Sequence, residues 1–241
     1  MTETEAPTVV LVHGAFADAG SFAGVTSLLL QAGVEVLAPA NPLRGLAIDS
    51  AYIASVFAQI PGPILAVGHS YGGAVITNAA TNAPNVKGLV FVAAFAPEEN
   101  EVLSAVEGTS RDSALGPALV QRTYPVEGAT ETAVELYVNQ ADFHTVFARD
   151  LSEADAAMYG AAQRPVAAAA FDEPSGVPAW KSLPSWAVVA TGDKAAGADV
   201  ILSMAQRAGA TITELDGSHV IMISRPAEVT EVIMTALREV G

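Results

Sequence analysis

Apolar runs of strand length alternate with segments of helical spacing along most of this chain. The runs TVVLVHG at residues 8–14, GPILAVGHS at 62–70 and SWAVVAT at 185–191 are rich in apolar residues, as in strands covered on both faces. Between such runs lie segments like AGSFAGVTSLLLQAG, in which we expect Ser21 to cap a helix and Gly33 to end it. The alternation predicts an α/β fold in which six mostly parallel strands form one sheet flanked by helices.

The alternation is interrupted once, after the fourth predicted strand, VKGLVFVAAFAP at residues 86–97. From residue 98 to residue 184 the chain is rich in Ala, Glu and Asp and has few β-branched runs, so we expect a helical insertion there. The predicted organisation is a core of residues 1–97 and 185–241, interrupted by a helical insertion of residues 98–184, all within one structural unit.

The charge and composition exclude several classes of function. With 11 basic and 26 acidic residues the net charge is −15, which repels nucleic acid and anionic membranes, so neither is an expected partner. The chain has no cysteine, which excludes disulfides, thiolate nucleophiles and zinc-thiolate sites. The N-terminal MTETEAP has neither the positive nor the apolar region of a signal peptide, and we therefore expect a cytoplasmic protein.

The segment Gly68-His69-Ser70-Tyr71-Gly72 lies where the third predicted strand meets a predicted helix. It fits the pattern G-x-S-x-G, in which a serine occupies a sharp strand-to-helix turn that exposes its hydroxyl at the sheet edge. The glycines permit such a turn because they have no side chains to collide there. A glycine-rich turn with a capping serine would explain the same residues, but the remaining candidates favour Ser70 as a nucleophile.

Four histidines are candidates for the base that a serine nucleophile requires. His69 lies within the strand-to-helix turn of residues 68–72, which we call the elbow, and its side chain is expected to point away from that of Ser70. His144 lies in the insertion. His13 follows the first strand, where we expect it to bind local backbone. His219, in LDGSHVIM, follows the last strand and reaches the carboxyl edge of the sheet, where open α/β folds place their sites. We therefore predict His219 as the base.

A carboxylate must hold the histidine in the correct tautomer, and four acidic residues compete for that role. Asp193, in VVATGDKAAG, follows the fifth strand and so reaches the same carboxyl edge. Asp199 is expected at a helix start, Glu214 lies within a strand, and turn chemistry explains Asp216. We predict Asp193, which also produces the nucleophile, acid, base order typical of α/β-hydrolases.

Backbone amides near the serine are candidates for binding an oxyanion. One is that of Tyr71, directly after the nucleophile, and the other is that of Ala15 or Phe16, in the turn after the first strand. We predict the amides of Ala15 and Tyr71 as the oxyanion donors. The side chains of Phe16 and Tyr71 adjoin these donors, and we expect both to contact the substrate.

These motifs resemble those of the α/β-hydrolase superfamily, in the branch of plant methyl-ester hydrolases, hydroxynitrile lyases and their bacterial relatives. The resemblance spans almost the whole chain, through VVLVHGAF, VGHSYGG, LVFVAAFAP, TGDKA and DGSHVIMISRPAEV. It implies a six-stranded parallel core under a helical cap, with a buried apolar pocket between them. Lyases of this branch carry Thr and Lys where this chain has Gly14 and Val220, so the resemblance favours ester hydrolysis.

The function expected from these observations is a serine hydrolase that cleaves small, neutral, largely apolar carboxylic esters or lactones through an acyl-enzyme. No metal or cofactor is needed. Besides the triad, we expect substrate contacts at Gly14, Phe16, Phe143 and Val220.

Other functions stay open at this level. They are a small-molecule receptor with a retained triad, a hydroxynitrile lyase, and related acyl hydrolases such as thioesterases and perhydrolases. A nucleotide-dependent oxidoreductase is disfavoured because HGAFADAG follows the first strand in place of G-x-G-x-x-G. The sequence does not decide whether the chain forms a homodimer.

Overall fold

The predicted core strands lie side by side in one sheet. A computed structural model of the chain describes residues 6–241, so residues 1–5 of the predicted core lie outside this part. Within it the strands are β1 (Thr8–Val12), β2 (Val36–Leu37), β3 (Ile64–His69), β4 (Val86–Val92), β5 (Leu119–Pro125), β6 (Thr132–Val138), β7 (Val166–Ala167), β8 (Ser185–Ala190) and β9 (Thr211–Leu215). Six of them form a sheet of order β2-β1-β3-β4-β8-β9, in which every neighbouring pair is parallel. The predicted six-stranded parallel sheet is confirmed.

Helices cover this sheet and bury its central strands. The α-helices are α1 (Ala23–Gln31), α2 (Leu46–Phe57), α3 (Tyr71–Ala79), α4 (Leu103–Glu107), α5 (Leu115–Ala118), α6 (Gln140–Phe147), α7 (Glu153–Ala162), α8 (Ala169–Asp172), α9 (Ala198–Arg207), α10 (Ile221–Ser224) and α11 (Pro226–Val240). Helix α3 packs on β1, β3 and β4, whereas α11 packs on β3, β4 and β8 and also contacts α1. Every residue of β1 and β3 is buried, which explains their uninterrupted apolar sequence; each buried Val or Leu contributes about 1.5–3 kcal/mol.

The start of α1 differs from the prediction. Asp18, and not Ser21, is the capping residue, because its carboxylate accepts a hydrogen bond from the Gly20 amide at the start of the short 3-10 turn Ala19–Phe22. The Ser21 hydroxyl instead donates to the Asp18 carbonyl oxygen. The end of the helix agrees with the prediction, since Gly33 follows it with a φ of 77°.

The insertion leaves the sheet after β4 and returns at β8, as expected, but it is not purely helical. Alongside α4 to α8 it contains a three-stranded antiparallel sheet of order β5-β6-β7. In LVQRTYP and TAVELYV, β-branched and aromatic residues are common enough to favour strands, and the two runs pair over seven residues each. Strand β5 of this hairpin is largely exposed.

No helix among residues 6–241 has both the length and the apolar composition that crossing a lipid bilayer requires.

Candidate active site

The turn between β3 and α3 places Ser70 in a strained backbone conformation. Its φ is 54° and its ψ is −125°, in the left-handed half of the map that non-glycine residues rarely occupy. The turn is tight: a Cβ added at Gly68 would lie 2.6 Å from the Gly72 carbonyl oxygen, and one added at Gly72 would collide with the Val12 carbonyl. Only glycine therefore fits at both positions, as the elbow pattern requires.

A continuous hydrogen-bond chain links the predicted nucleophile, base and acid. The Ser70 Oγ lies 2.8 Å from His219 Nε2, and His219 Nδ1 lies 2.7 Å from Asp193 Oδ2. The Nδ1–H group donates to the carboxylate, which leaves Nε2 to accept the serine proton. His219 and Asp193 are each only 1% exposed, so water does not compete for the hydrogen bonds between them.

The structure distinguishes Asp193 from the competing carboxylates. Its second oxygen, Oδ1, accepts hydrogen bonds from the amides of Ala195 (2.8 Å) and Ala196 (3.0 Å). Asp199, in the first turn of α9, binds Ser110 and the Arg111 amide. Glu214 and Asp216 are exposed. Asp193 is the carboxylate that reaches His219.

The other histidines have backbone partners. His13 donates from Nδ1 to the Gly14 carbonyl oxygen and accepts the Asn41 amide at Nε2, and burial lowers its pKa to about 4. His69 donates from Nε2 to the carbonyl oxygen of His219, and burial holds its pKa well below the usual value. His144 binds the Leu151 carbonyl. His69 thus supports the backbone of His219 without facing Ser70.

Two backbone amides beside Ser70 are available to bind an oxyanion. A Cβ at Gly14 would lie 2.7 Å from Ser70 Cβ and 3.2 Å from the Tyr71 nitrogen, so the loop after β1 passes directly against the elbow. The Phe16 amide donates to the Arg164 carbonyl oxygen at 3.1 Å, which removes it as a candidate. Within residues 6–241, the Ala15 and Tyr71 amides have no hydrogen-bond acceptor.

Aromatic rings from the insertion and from the loop after β1 pack against His219 and Tyr71. The Phe147 ring lies 4.8 Å from the His219 ring and 6.0 Å from that of Phe16. Phe171 stacks on Phe16 and contacts Tyr71. Ser70 itself is only 6% exposed. We refer to Phe16, Phe147 and Phe171 as the aromatic roof.

A cavity of about 230 Å³ adjoins the aromatic roof. Its walls are largely apolar and include Phe16, Phe143, Phe147, Met158, Tyr159 and Val220. Three of the expected substrate contacts, Phe16, Phe143 and Val220, therefore share one cavity, whereas Gly14 packs against the elbow. Asp18, Ser21 and Gln163 add polar groups to the wall. Asp18 and Ser21 were not predicted as cavity residues, although their position just after the first strand places them near the same sheet edge. Ser70 and His219 are not part of the cavity lining.

The Tyr71 side chain lies outside the lining of this cavity, as Ser70 and His219 do. Its hydroxyl donates to Asp49 Oδ2 at 2.8 Å, and it is fully buried. Asp49 also accepts the Arg44 amide, and burial raises the pKa of its carboxyl group. The contact expected between the Tyr71 side chain and substrate stays a prediction, and the hydrogen bond of its hydroxyl to Asp49 does not involve the Tyr71 amide.

A family model described as the alpha/beta hydrolase family matches residues 9–232. The chain belongs to this family. The predicted membership of the alpha/beta hydrolases is thus confirmed. Within residues 6–241 this alpha/beta hydrolase has no cluster of three or more His, Asp and Glu side chains arranged to hold a metal ion.

Individual relatives of this alpha/beta hydrolase include esterases. It is 33% identical over 110 residues to the carbendazim hydrolyzing esterase of Nocardioides sp. (strain SG-4G), a match covering 40% of this chain and 46% of that protein. The chain thus spans less than half the length of that curated relative.

Two solved structures share the fold over nearly the whole chain. Polyneuridine aldehyde esterase superimposes with a TM-score of 0.80 at 21% identity, over 96% of this chain and 99% of that one. A pyrethroid hydrolase superimposes with a TM-score of 0.76 at 18% identity, over 97% of this chain and 98% of that one.

Proposed function

We propose that this alpha/beta hydrolase is a serine esterase that cleaves small, neutral, largely apolar carboxylic esters or lactones through an acyl-enzyme. The observation that carries the proposal is the buried hydrogen-bond chain from Asp193 through His219 to Ser70. A serine hydroxyl held 2.8 Å from an imidazole whose other nitrogen binds a carboxylate is arranged for nucleophilic attack.

In the proposed mechanism, Ser70 Oγ attacks the ester carbonyl carbon while His219 Nε2 takes the hydroxyl proton. The carbonyl oxygen becomes an oxyanion and accepts hydrogen bonds from the Ala15 and Tyr71 amides. His219 then passes its proton to the leaving alcohol as the C–O bond breaks, which forms the acyl-enzyme. Water, deprotonated by His219, attacks the acyl carbon, and the acid leaves as Ser70 regains its proton.

The surroundings of Ser70 support an uncharged, apolar substrate. A cavity that shares Phe16 and Phe147 with the aromatic roof is lined mainly by aromatic and aliphatic side chains, which suits an acyl or alcohol group without charge. The net charge of −15 disfavours the approach of anions. In this proposal the insertion acts as the cap that closes the pocket, through Phe147 and Phe171.

Two positions support hydrolysis over lyase chemistry. Val220, next to His219, is buried and apolar, so no ammonium group stands there to stabilise a departing anion. Gly14 approaches Ser70 so closely that no side chain fits between them. The esterase and hydrolase names of the relatives agree with this choice.

The test is stopped-flow release of p-nitrophenol from p-nitrophenyl acetate and butyrate, followed over several turnovers. The matched variants are Ser70→Ala and Ser50→Ala; Ser50 is another buried serine, whose hydroxyl donates to the Val75 carbonyl away from the site. We expect steady turnover in the native protein and in Ser50→Ala, and none in Ser70→Ala. A single stoichiometric burst would favour a receptor with a retained triad, and full activity in Ser70→Ala would refute the mechanism.

A further inference from the structure

Asp150 reaches from the insertion to the loop that carries His219. It follows α6 by three residues, and its carboxylate accepts two hydrogen bonds from Ser218, the residue directly before His219. The Ser218 amide donates to Asp150 Oδ2 at 2.8 Å, and the Ser218 hydroxyl donates to Oδ1. Ser218 is fully buried, so no water replaces Asp150 as the partner of these two donors.

The same short segment of the insertion also touches the loop that carries Asp193. The Arg149 guanidinium lies against Gly192, whose Cβ, if present, would be 3.3 Å from Nη2. The Gly192 amide in turn donates to the Gly217 carbonyl oxygen at 3.0 Å, which joins the Asp193 loop to the His219 loop. Arg149 and Asp150 therefore bracket the junction at which these two loops meet.

The charge of Asp150 suits this contact. Burial alone would raise the pKa of its carboxyl group, but the hydrogen bonds from Ser218 outweigh burial and leave the pKa below its usual value. The group is therefore ionised at neutral pH, and hydrogen bonds to an ionised acceptor are stronger than those between neutral groups.

We propose that Asp150 is a positioning residue for His219, acting through Ser218, a role that rests on the proposed esterase function. His219 has its ring fixed by Asp193 and Ser70 and its carbonyl oxygen bound by His69. Asp150 supplies the remaining constraint, on the backbone just before the ring. Because a displacement of about 1 Å in a reacting group costs roughly 10²-fold in rate, this constraint acts on kcat.

The test compares Asp150→Ala and Asp150→Asn with a matched control, Asp155→Ala. Asp155 lies in the same insertion and also binds a serine, Ser152, at the start of α7, but it has no contact with the His219 loop. We expect Asp150→Ala to lower kcat by about 10²-fold with an unchanged KM, and Asp150→Asn, which keeps one acceptor oxygen, to lower it less. Asp155→Ala is expected to keep the native kcat, whatever its thermal unfolding midpoint.

A second readout does not depend on turnover. We expect the His219 Nδ1–H proton, held by Asp193, to give a strongly deshielded proton NMR signal that shifts or broadens in both Asp150 variants and stays unchanged in Asp155→Ala. A purely structural role for Asp150 would lower the unfolding midpoint without moving this signal.

The outcomes separate the two proposals. If the native protein hydrolyses esters through Ser70 while both Asp150 variants keep the native kcat and signal, the positioning role is overturned and the esterase function stands. If the native protein hydrolyses none, the esterase function fails, and the NMR signal alone decides whether Asp150 positions His219. Asp150→Asn has nearly the native shape, so it keeps the test valid if the alanine variant does not fold.

Discussion

Replacing Asp193 by Asn tests the direction of the hydrogen-bond chain at Ser70. The asparagine has one acceptor oxygen and one NH2 group in place of two carboxylate oxygens. The Ala195 and Ala196 amides both donate to Oδ1, so the asparagine oxygen stays with them and its NH2 group faces His219 Nδ1. His219 must then accept at Nδ1 and carry its proton on Nε2, where it can no longer take the proton of Ser70.

The size of the expected loss of kcat in Asp193→Asn follows from the same contacts. Each buried donor left unpaired costs about 1–3 kcal/mol, so the opposite amide orientation, which leaves both alanine amides unpaired, is worse by roughly 2–6 kcal/mol. The wrong histidine tautomer therefore dominates. In serine hydrolases that loss lowers kcat by about 10⁴-fold. Since each factor of ten is about 1.4 kcal/mol, the barrier rises by roughly 5.5 kcal/mol while the fold remains intact.

The assay is the kcat for p-nitrophenyl butyrate, with circular dichroism to show that the variant is folded. Asp216→Asn is the matched control, because Asp216 is exposed and is only three residues from His219. We expect the control to keep the native rate. A folded Asp193→Asn variant with activity within about tenfold of native would refute the argument, since the tautomer change alone should cost far more.

Two further predictions concern buried polar groups. Tyr71→Phe removes the hydroxyl that binds Asp49 and keeps the ring. We expect the free energy of unfolding to fall by about 1.5–3 kcal/mol and kcat to change by less than about threefold, because the proposed mechanism uses only the Tyr71 amide. A large loss of kcat at unchanged stability would show that the Tyr71 hydroxyl itself takes part in the reaction. Burial lowers the pKa of His13 from 6.5 to about 4, so between these values the unfolded chain binds a proton that the folded chain does not. The free energy of unfolding should therefore fall as the pH is lowered from 6.5 to about 4, by about 3 kcal/mol in total for this group, with His69 acting in the same direction. Urea unfolding at about pH 7.5 and about pH 5 measures the slope, and equal values at the two would contradict the burial argument.

Much of the core and of the site could be predicted because each signal is local. A strand ends where its apolar run ends, and parallel strands present their carboxyl ends at one edge, so Ser70, Asp193 and His219 could be placed near one another from their positions alone. The elbow is equally local, because the glycines that the turn requires lie within two residues of the serine.

The parts that could not be predicted depend on partners far apart in the chain. Asp150 binds a residue 68 positions away, and Tyr71 binds one 22 positions away. Neither pair leaves a local pattern in the sequence, because a lone aspartate in a helical segment is equally expected at a solvent-exposed position. The β5-β6 hairpin did leave a signal in its β-branched and aromatic residues, but the many alanines around it favoured a helical interpretation.

The aromatic roof affects which molecule, water or an alcohol, takes the acyl group from Ser70 in the proposed mechanism. Ser70 is only 6% exposed and the rings of Phe147 and Phe171 pack against His219 and Tyr71, so we expect an acyl group on Ser70 to meet few water molecules. A small apolar alcohol enters such surroundings more readily than water does. In the proposed mechanism the ester formed from that alcohol competes with the free acid as the product. We therefore expect transesterification to become appreciable at alcohol concentrations far below that of water.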